Sequence, residues 1–403
     1  MDRKGKFHPC ASAEALGAAI REDRNSTLTL VWAPGHPRLL LPEELEGMGD
    51  SLRAVRARWA QDDLDDASHR LRLFSIIIAA LSGYTLYQAF TQLSRLAAQS
   101  GTTLDSGQRL ILSVKAALAS QTIGLSLLGF VILAFIPWYQ ARKRQRELGM
   151  WTEAGIAEAA PTIRFETWLE RQNAPLTRAF LILMILVALT QVFHSAGSHH
   201  LDSLFGLLGT WDGAAAAGLI KERYFQGEWW RLLTAPFLHG NVVHFIMNAA
   251  ALIYLGKRLE VFARWPHLPL VFLFAACAGG EASARFVTAP SVGASGGLMG
   301  WLGFLLVFET LHKRLVPRRA RRRLLAGVAL TALIGLIGYR YIDNAAHAGG
   351  LLAGMLYAAI VFPSSSSPER PNSNLADRIA GSLAFGTLAL AAWFAGYQIM
   401  AAS

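Results

Sequence analysis

The sequence predicts an all-α polytopic membrane protein, and three observations lead there. Hydrophobic residues make up 53% of the 403 and gather in segments near the roughly 20 residues that cross a bilayer as helix. Charged residues are 16% of the chain, against about 25% in soluble domains. The basic excess, a formal net charge of +10, lies largely in short runs beside apolar segments. That placement is a topology signal, so no nucleic-acid partner is expected and the lipid bilayer is the expected surroundings. Cys10 and Cys277 stand in unlike contexts and give no disulfide framework.

Residues 1–70 read as a small soluble region. Met1-Asp2-Arg3-Lys4-Gly5-Lys6 runs into polar sequence with no apolar core, so no cleavable signal peptide is expected. Thr27-Leu28-Thr29-Leu30-Val31-Trp32 alternates like a short strand, ended by Pro34-Gly35 and Pro37. Gly47-Met48-Gly49-Asp50 matches the Gly-x-Gly-Asp pattern of aspartyl intramembrane proteases. It lies in polar sequence with no second aspartate in an apolar segment, and reads as a turn.

Nine apolar segments follow, at 73–93, 112–138, 179–197, 240–256, 268–288, 294–311, 324–341, 344–362 and 379–400. The first two form a transmembrane hairpin within 71–139, and 140–178 is a charged linker opening Arg142-Lys143-Arg144. The connection 198–237 carries Trp211, Tyr224, Trp229, Trp230 and Arg231, a composition suited to the membrane interface. Ser364 to Ser367, flanked by Pro363 and Pro368, begins a linker to the last span, so 363–403 is a linker and an additional C-terminal helix.

Orientation follows from lysine and arginine. The densest run is Lys313-Arg314, Arg318-Arg319 and Arg321-Arg322-Arg323. Placing it in the cytoplasm also places 140–178, Lys257-Arg258 and the N-terminus there, and puts the poorly basic connections 94–111, 198–237, 289–293 and 342–343 outside. The spans at 240–256, 294–311 and 344–362 then all start outside. His244 and Asn248, four residues apart on one helical face, meet Ser295 and His347 at similar depth.

Intramembrane polar groups are costly, about 2.5–3.5 kcal/mol for a charge at mid-membrane, and usually face a bundle interior or watery cavity. One alone reads as an interhelical hydrogen bond, and a cluster of small residues around a serine reads as a packing face. Four polar groups converging on one side suggest chemistry. A serine needs a neighbouring base to become a nucleophile, and neutral histidine can serve. Asn248, His244 and the Ser295 backbone N–H are candidate donors to an oxyanion. Gly350 and Gly354 form a small-residue face beside His347, and Gly296, Gly297 and Gly300 offer the same beside Ser295. Asp343, four residues before His347, is expected at the outer surface, so a Ser–His dyad is expected without an acidic third member.

Residues 179–362 resemble the rhomboid family of intramembrane serine proteases. The matching motifs are Glu228-Trp229-Trp230-Arg231, His239-x4-His244-x3-Asn248, Gly293-x-Ser295-Gly296 and Ala346-His347-x2-Gly350-x3-Gly354, in the family's order. The resemblance implies a six-helix core, here with an extra N-terminal helix pair and an optional seventh helix at the C-terminus. It implies cleavage of single-span transmembrane protein substrates near the outer leaflet, with Ser295 as nucleophile and His347 as general base and acid. His244, Asn248 and the Ser295 amide would form the oxyanion hole. His239, Trp230 and Arg231 would order the outer loop, and Gly293, Gly296, Gly350 and Gly354 would serve helix packing. Met299 stands where the family often has an aromatic residue against the histidine; a thioether can also pack on a ring. The resemblance does not reach residues 1–178, and no partner for the N-terminal region can be named.

Gly293-x-Ser295-x-Gly297 also fits the nucleophile elbow of soluble hydrolases, which needs a strand–turn–helix setting. A metal site from His239, His244 and His347 lacks a His-Glu-x-x-His motif, so neither metal nor cofactor is expected. A transporter would show inverted repeats meeting at the midplane. The competing reading is a catalytically silent rhomboid-like protein that binds membrane partners. The charge bias and the lack of a signal peptide fit a multi-pass protein of a bacterial inner membrane.

Overall fold

The computed structural model describes residues 7–22, 30–37, 39–101, 105–148, 165, 168–169, 171–197, 211–339, 342–367 and 369–402. The described residues form helices and no strand beyond two isolated bridges, and the chain divides into two compact units, Met1–Glu170 and Arg171–Ser403. Among the described residues, six helices are long and apolar enough to cross a membrane, and two shorter apolar helices join them. The protein is an integral, multi-pass membrane protein.

In the first unit, α1 (Ala13–Glu22) packs Leu16 and Ile20 against Met48, Leu52 and Val55 at the start of α2 (Gly49–Ser100). The expected strand over 27–32 lies partly outside the described residues; Val31 pairs with Leu40 in an isolated bridge. Gly47 takes a positive φ of 79° just before α2 begins. α2 runs unbroken for 52 residues, from charged sequence through the apolar segment 73–93. The apolar segment 112–138 is not one helix. It is divided into α3 (Ser106–Leu118), α4 (Gln121–Phe130), a π-helical turn over Val131–Phe135 and α5 (Ile136–Leu148). The break has a local cause: the Ser120 hydroxyl accepts from the Ile123 N–H at 3.3 Å and starts a new helix.

The second unit begins with α6 (Pro175–Gly197). Its first turn is capped by the Glu260 carboxylate, which accepts from the Leu176 and Thr177 N–H groups and the Thr177 hydroxyl at 2.7–3.0 Å. Short helices α7 (Trp211–Ala217), α8 (Lys221–Phe225) and α9 (Arg231–Thr234) fold the following connection. Then come α10 (Val242–Ala263), α11 (His267–Phe286), α12 (Ser295–Leu311), α13 (Arg318–Ile337), α14 (Asn344–Val361) and α15 (Leu375–Ala401).

Aromatic packing ties these helices together. The Phe180 ring on α6 lies 5.2 Å from Phe272 on α11, 5.6 Å from Trp301 on α12 and 5.6 Å from Phe385 on α15. At their far ends α10 and α12 are clamped by Arg258 and Glu309, paired bidentately at 2.5 and 2.9 Å and both fully buried.

α11, α12 and α14 make the tightest packing, and small residues permit it. A Cβ added at Gly354 of α14 would lie 1.9 Å from the Gly300 carbonyl oxygen of α12, and one at Gly350 would lie 2.0 Å from that of Gly296. Backbone meets backbone along this seam. The first turns of α12 and α14 are therefore neighbours.

Candidate functional site

Each side chain of the sequence-derived constellation sits at or near a helix start. Asn241 caps α10 by accepting the His244 N–H at 2.8 Å, which fixes the turn from which His244 and Asn248 project. Asp343 caps α14 through the Ala346 N–H at 2.9 Å, one turn before His347. α12 is different: Ala294 precedes it with no side-chain cap, and Ser295 is its first residue. Its leading N–H groups are claimed by no capping side chain, so this helix end favours negative charge.

The loop entering α12 is held on two sides. Leu219 and Ser291 exchange backbone hydrogen bonds at 2.9 and 3.1 Å, and the Gly293 N–H donates to the Ala235 carbonyl at 3.0 Å. Gly293 has φ +120°, a conformation that favours glycine. A Cβ there would lie 2.6 Å from the His244 ring and 3.5 Å from Asn248 Nδ2. His244 and Asn248 thus lie against the backbone two residues before Ser295. Gly296, beside Ser295, lies across from the Ala346 backbone, beside His347.

A cavity of about 40 Å³ opens beside Ser295, lined by Gly293, Gly296, Ser283, Ser291, Asp343 and Ala346 among others. That is room for roughly one or two water molecules. The Nδ1 of His347 and the Nδ2 of Asn248 are buried without a protein hydrogen-bond partner. Among the described residues no hydrogen bond joins Ser295 to His347 or the Asp343 carboxylate to a ring nitrogen of His347. Met299 is buried in the next turn of α12.

The loop residues are tightly held. Arg231 is 1% exposed, ion-paired to Glu228 at 2.6 Å and donating to the Ala215 and Gly218 carbonyls at 3.1 and 2.7 Å. Its guanidinium stacks over Trp230 at 4.5 Å, and Trp230 meets Phe394 of α15 edge-on at 5.1 Å. His239 is fully buried, 5.3 Å from the His244 ring, and burial holds its imidazole well below the usual histidine range. Gln191 of α6 brackets the His239 backbone, donating to its carbonyl and accepting from its N–H, both at 3.1 Å. Sequence reading passed over Gln191, since a lone glutamine in an apolar span carries no spacing signal.

It also passed over Lys221, Ser283 and Ser291. Asp343, expected at the outer surface, is half-buried and accepts hydrogen bonds from both serine hydroxyls. The physical reason is that Ser283 and Ser291 face it from α11 and from the loop entering α12, which a single helix pattern cannot reveal.

Comparison with known proteins falls on this same segment. A family model described as "Rhomboid domain" matches residues 226–364. Rhomboid protease GluP of Bacillus subtilis (strain 168) is 31% identical over 189 residues, covering 47% of this chain and 35% of that protein. The mitochondrial RHOMBOID-like protein 6 of Arabidopsis thaliana is 36% identical over 160 residues, covering 38% of this chain and 51% of its own. RHOMBOID-like protein 4 of the same plant is 32% identical over 146 residues, covering 36% and 37%. The chain thus spans between about a third and half the length of these relatives. The family model spans the motifs around Ser295 and His347, and residues 226–364 of this chain are a rhomboid domain.

Proposed function

We propose that this protein is an intramembrane serine endopeptidase that cuts transmembrane-segment substrates through an acyl-enzyme. One observation carries the reading: Ser295 starts an uncapped helix and lines a small cavity, His244 and Asn248 lie against the Gly293 backbone two residues before it, and the backbone next to His347 faces Gly296 beside it. Ser295 Oγ attacks the scissile carbonyl and His347 takes its proton. The developing oxyanion is met by the Ser295 N–H, the Asn248 amide and the His244 ring. His347 then protonates the leaving amine, and water on the cavity side hydrolyses the ester. The Asn248 Nδ2 without a partner supports this role: an unsatisfied buried donor costs about 1–3 kcal/mol, and a developing negative charge would satisfy it.

In this reading Trp230, Arg231 and His239 order the loop beside the site, and Gly293, Gly296, Gly350 and Gly354 set the backbone approach. The site faces outward in a bacterial inner membrane, with the N-terminus cytoplasmic. Residues 1–70 are a cytoplasmic region, 71–139 a transmembrane hairpin, 140–178 a cytoplasmic linker, 179–362 the protease core and 363–403 a linker with an additional helix.

Purified protein in liposomes, with chelator present, should cleave single-span model substrates, and Ser295→Ala and His347→Ala should not. Equal cutting by the alanine variants overturns the dyad. A silent relative that binds membrane partners is the second reading, favoured by the missing Ser295–His347 hydrogen bond. Folded wild type that cuts no member of a varied substrate panel and is not labelled by a fluorophosphonate would establish it.

A further inference from the structure

Beside the cavity, but outside the constellation just described, four side chains from four segments share one hydrogen-bonded cluster. Lys221, at the start of α8, is 5% exposed and donates through Nζ to Ser291 Oγ at 2.7 Å and to the Leu219 carbonyl at 3.5 Å. The Ser291 hydroxyl in turn donates to the Asp343 carboxylate, which also accepts from Ser283 of α11. The other oxygen of Asp343 caps the helix that carries His347. Ser291 lies four residues before Ser295, and its backbone pairs with Leu219, two residues before Lys221. One cluster therefore joins the loop entering the Ser295 helix to the first turn of the His347 helix.

We propose that Lys221 is a positioning residue for the dyad, clamping the His347 helix through Ser291 and Asp343 onto the loop that presents Ser295. This deepens, and rests on, the protease reading above. The chemistry of the cluster suits the task. A lone half-buried carboxylate one turn before a catalytic imidazole would pull on its charge; a buried ammonium across one shared hydroxyl offsets it. A lysine with no partner in this place would lose its proton or leave the site. The Ser291 hydroxyl accepts from the cation and donates to the anion, and so bridges the two charges.

The charged groups facing Lys221 are Asp343 and Glu222, while Glu281, on the same helix as Ser283, is held by Tyr224 and Arg285. Burial lowers Lys221 to about 8, with Asp343 and Glu222 opposing that shift. Above that pH the cation is lost and Asp343 stands uncompensated. Activity should therefore fall as pH rises through about 8.

The test uses full-length protein in liposomes, reading kcat and KM for a single-span substrate and the rate of Ser295 labelling by a fluorophosphonate, each from pH 6 to 10. Lys221→Met and Ser291→Ala should lower kcat and labelling about tenfold with KM within about twofold. Lys221→Met should also abolish the alkaline fall seen in wild type. Ser291→Thr, which keeps the hydroxyl, should restore most of the rate, and it keeps the question answerable if Lys221→Met fails to fold. Folded Lys221→Met and Ser291→Ala with wild-type kcat and an unchanged pH profile overturn the inference alone. Wild type that neither cuts nor labels overturns the protease reading and the inference with it.

Discussion

At the scale of single residues, the site depends on what Gly293 lacks. Its φ of +120° is one that side chains rarely adopt, and the space a Cβ would need is filled by the His244 ring at 2.6 Å. Alanine there adds backbone strain of about 1–3 kcal/mol and pushes the ring away from the Ser295 loop. Loss of one oxyanion donor costs about 10²–10³ in kcat. Gly293→Ala should therefore lower kcat by roughly that factor while thermal unfolding shifts by only a few degrees. Steady-state kinetics and a melting curve on the same preparation check this, and a variant with wild-type kcat would mean that His244 is not held by this contact. His244, Asn248, Ser295 and His347 could be proposed as a site from the sequence because the spans and the charge rule assign them a common depth. Lys221 was not, because one lysine in a short polar turn has no periodicity to mark it. Its meaning arises only when Ser291 and Asp343 arrive from 70 and more residues away.

At the scale of elements, the seam between α12 and α14 sets how Ser295 and His347 approach each other. Membrane helices gain little from the hydrophobic effect between them, so close backbone contact supplies much of their affinity. A methyl group at Gly354 would collide with the Gly300 carbonyl at 1.9 Å, and neither backbone can yield without moving its helix. Overpacking of this kind costs about 1–3 kcal/mol. Gly386, in the same unit on α15, has nothing within 4 Å of the corresponding position. Gly354→Ala should destabilise and slow cleavage, whereas Gly386→Ala should be neutral or stabilising by up to about 1 kcal/mol. Denaturant titration in detergent with a parallel cleavage assay compares them. Equal effects at the two glycines would count against the seam. Helix boundaries were less legible than helix faces. Hydropathy sees 112–138 as one apolar stretch, but the Ser120 hydroxyl supplies a local start that divides it. The continuous α2 likewise hides in a composition that turns from charged to apolar partway along.

At the scale of the whole molecule, orientation decides which compartment the site serves. α10, α12 and α14 all begin at the Ser295 end, beside the connection 287–294, and the run from Lys313 to Arg323 lies beyond the opposite end of α12. In the proposed orientation the seven lysines and arginines of that run would be attracted to an anionic cytoplasmic leaflet by about 1 kcal/mol each near the surface. Carrying them across the membrane would forfeit that attraction and add the barrier to moving charge through hydrocarbon. The connection at 287–294 carries no lysine or arginine and could cross at little cost. The proposed orientation thus has the basic run inside and Ser295 toward the outside. It is testable with single cysteines in a background where Cys10 and Cys277 are replaced by serine. Ala289→Cys and Lys313→Cys are both at exposed positions, one at each end of α12. In bacterial spheroplasts a membrane-impermeant maleimide should label Ala289→Cys at once and Lys313→Cys only after permeabilisation. The reverse pattern would put the cavity beside Ser295 on the cytoplasmic side. Substrates would then have to present their scissile segment at the inner leaflet, and the charge rule that brought the four polar groups to one depth would have failed for this chain.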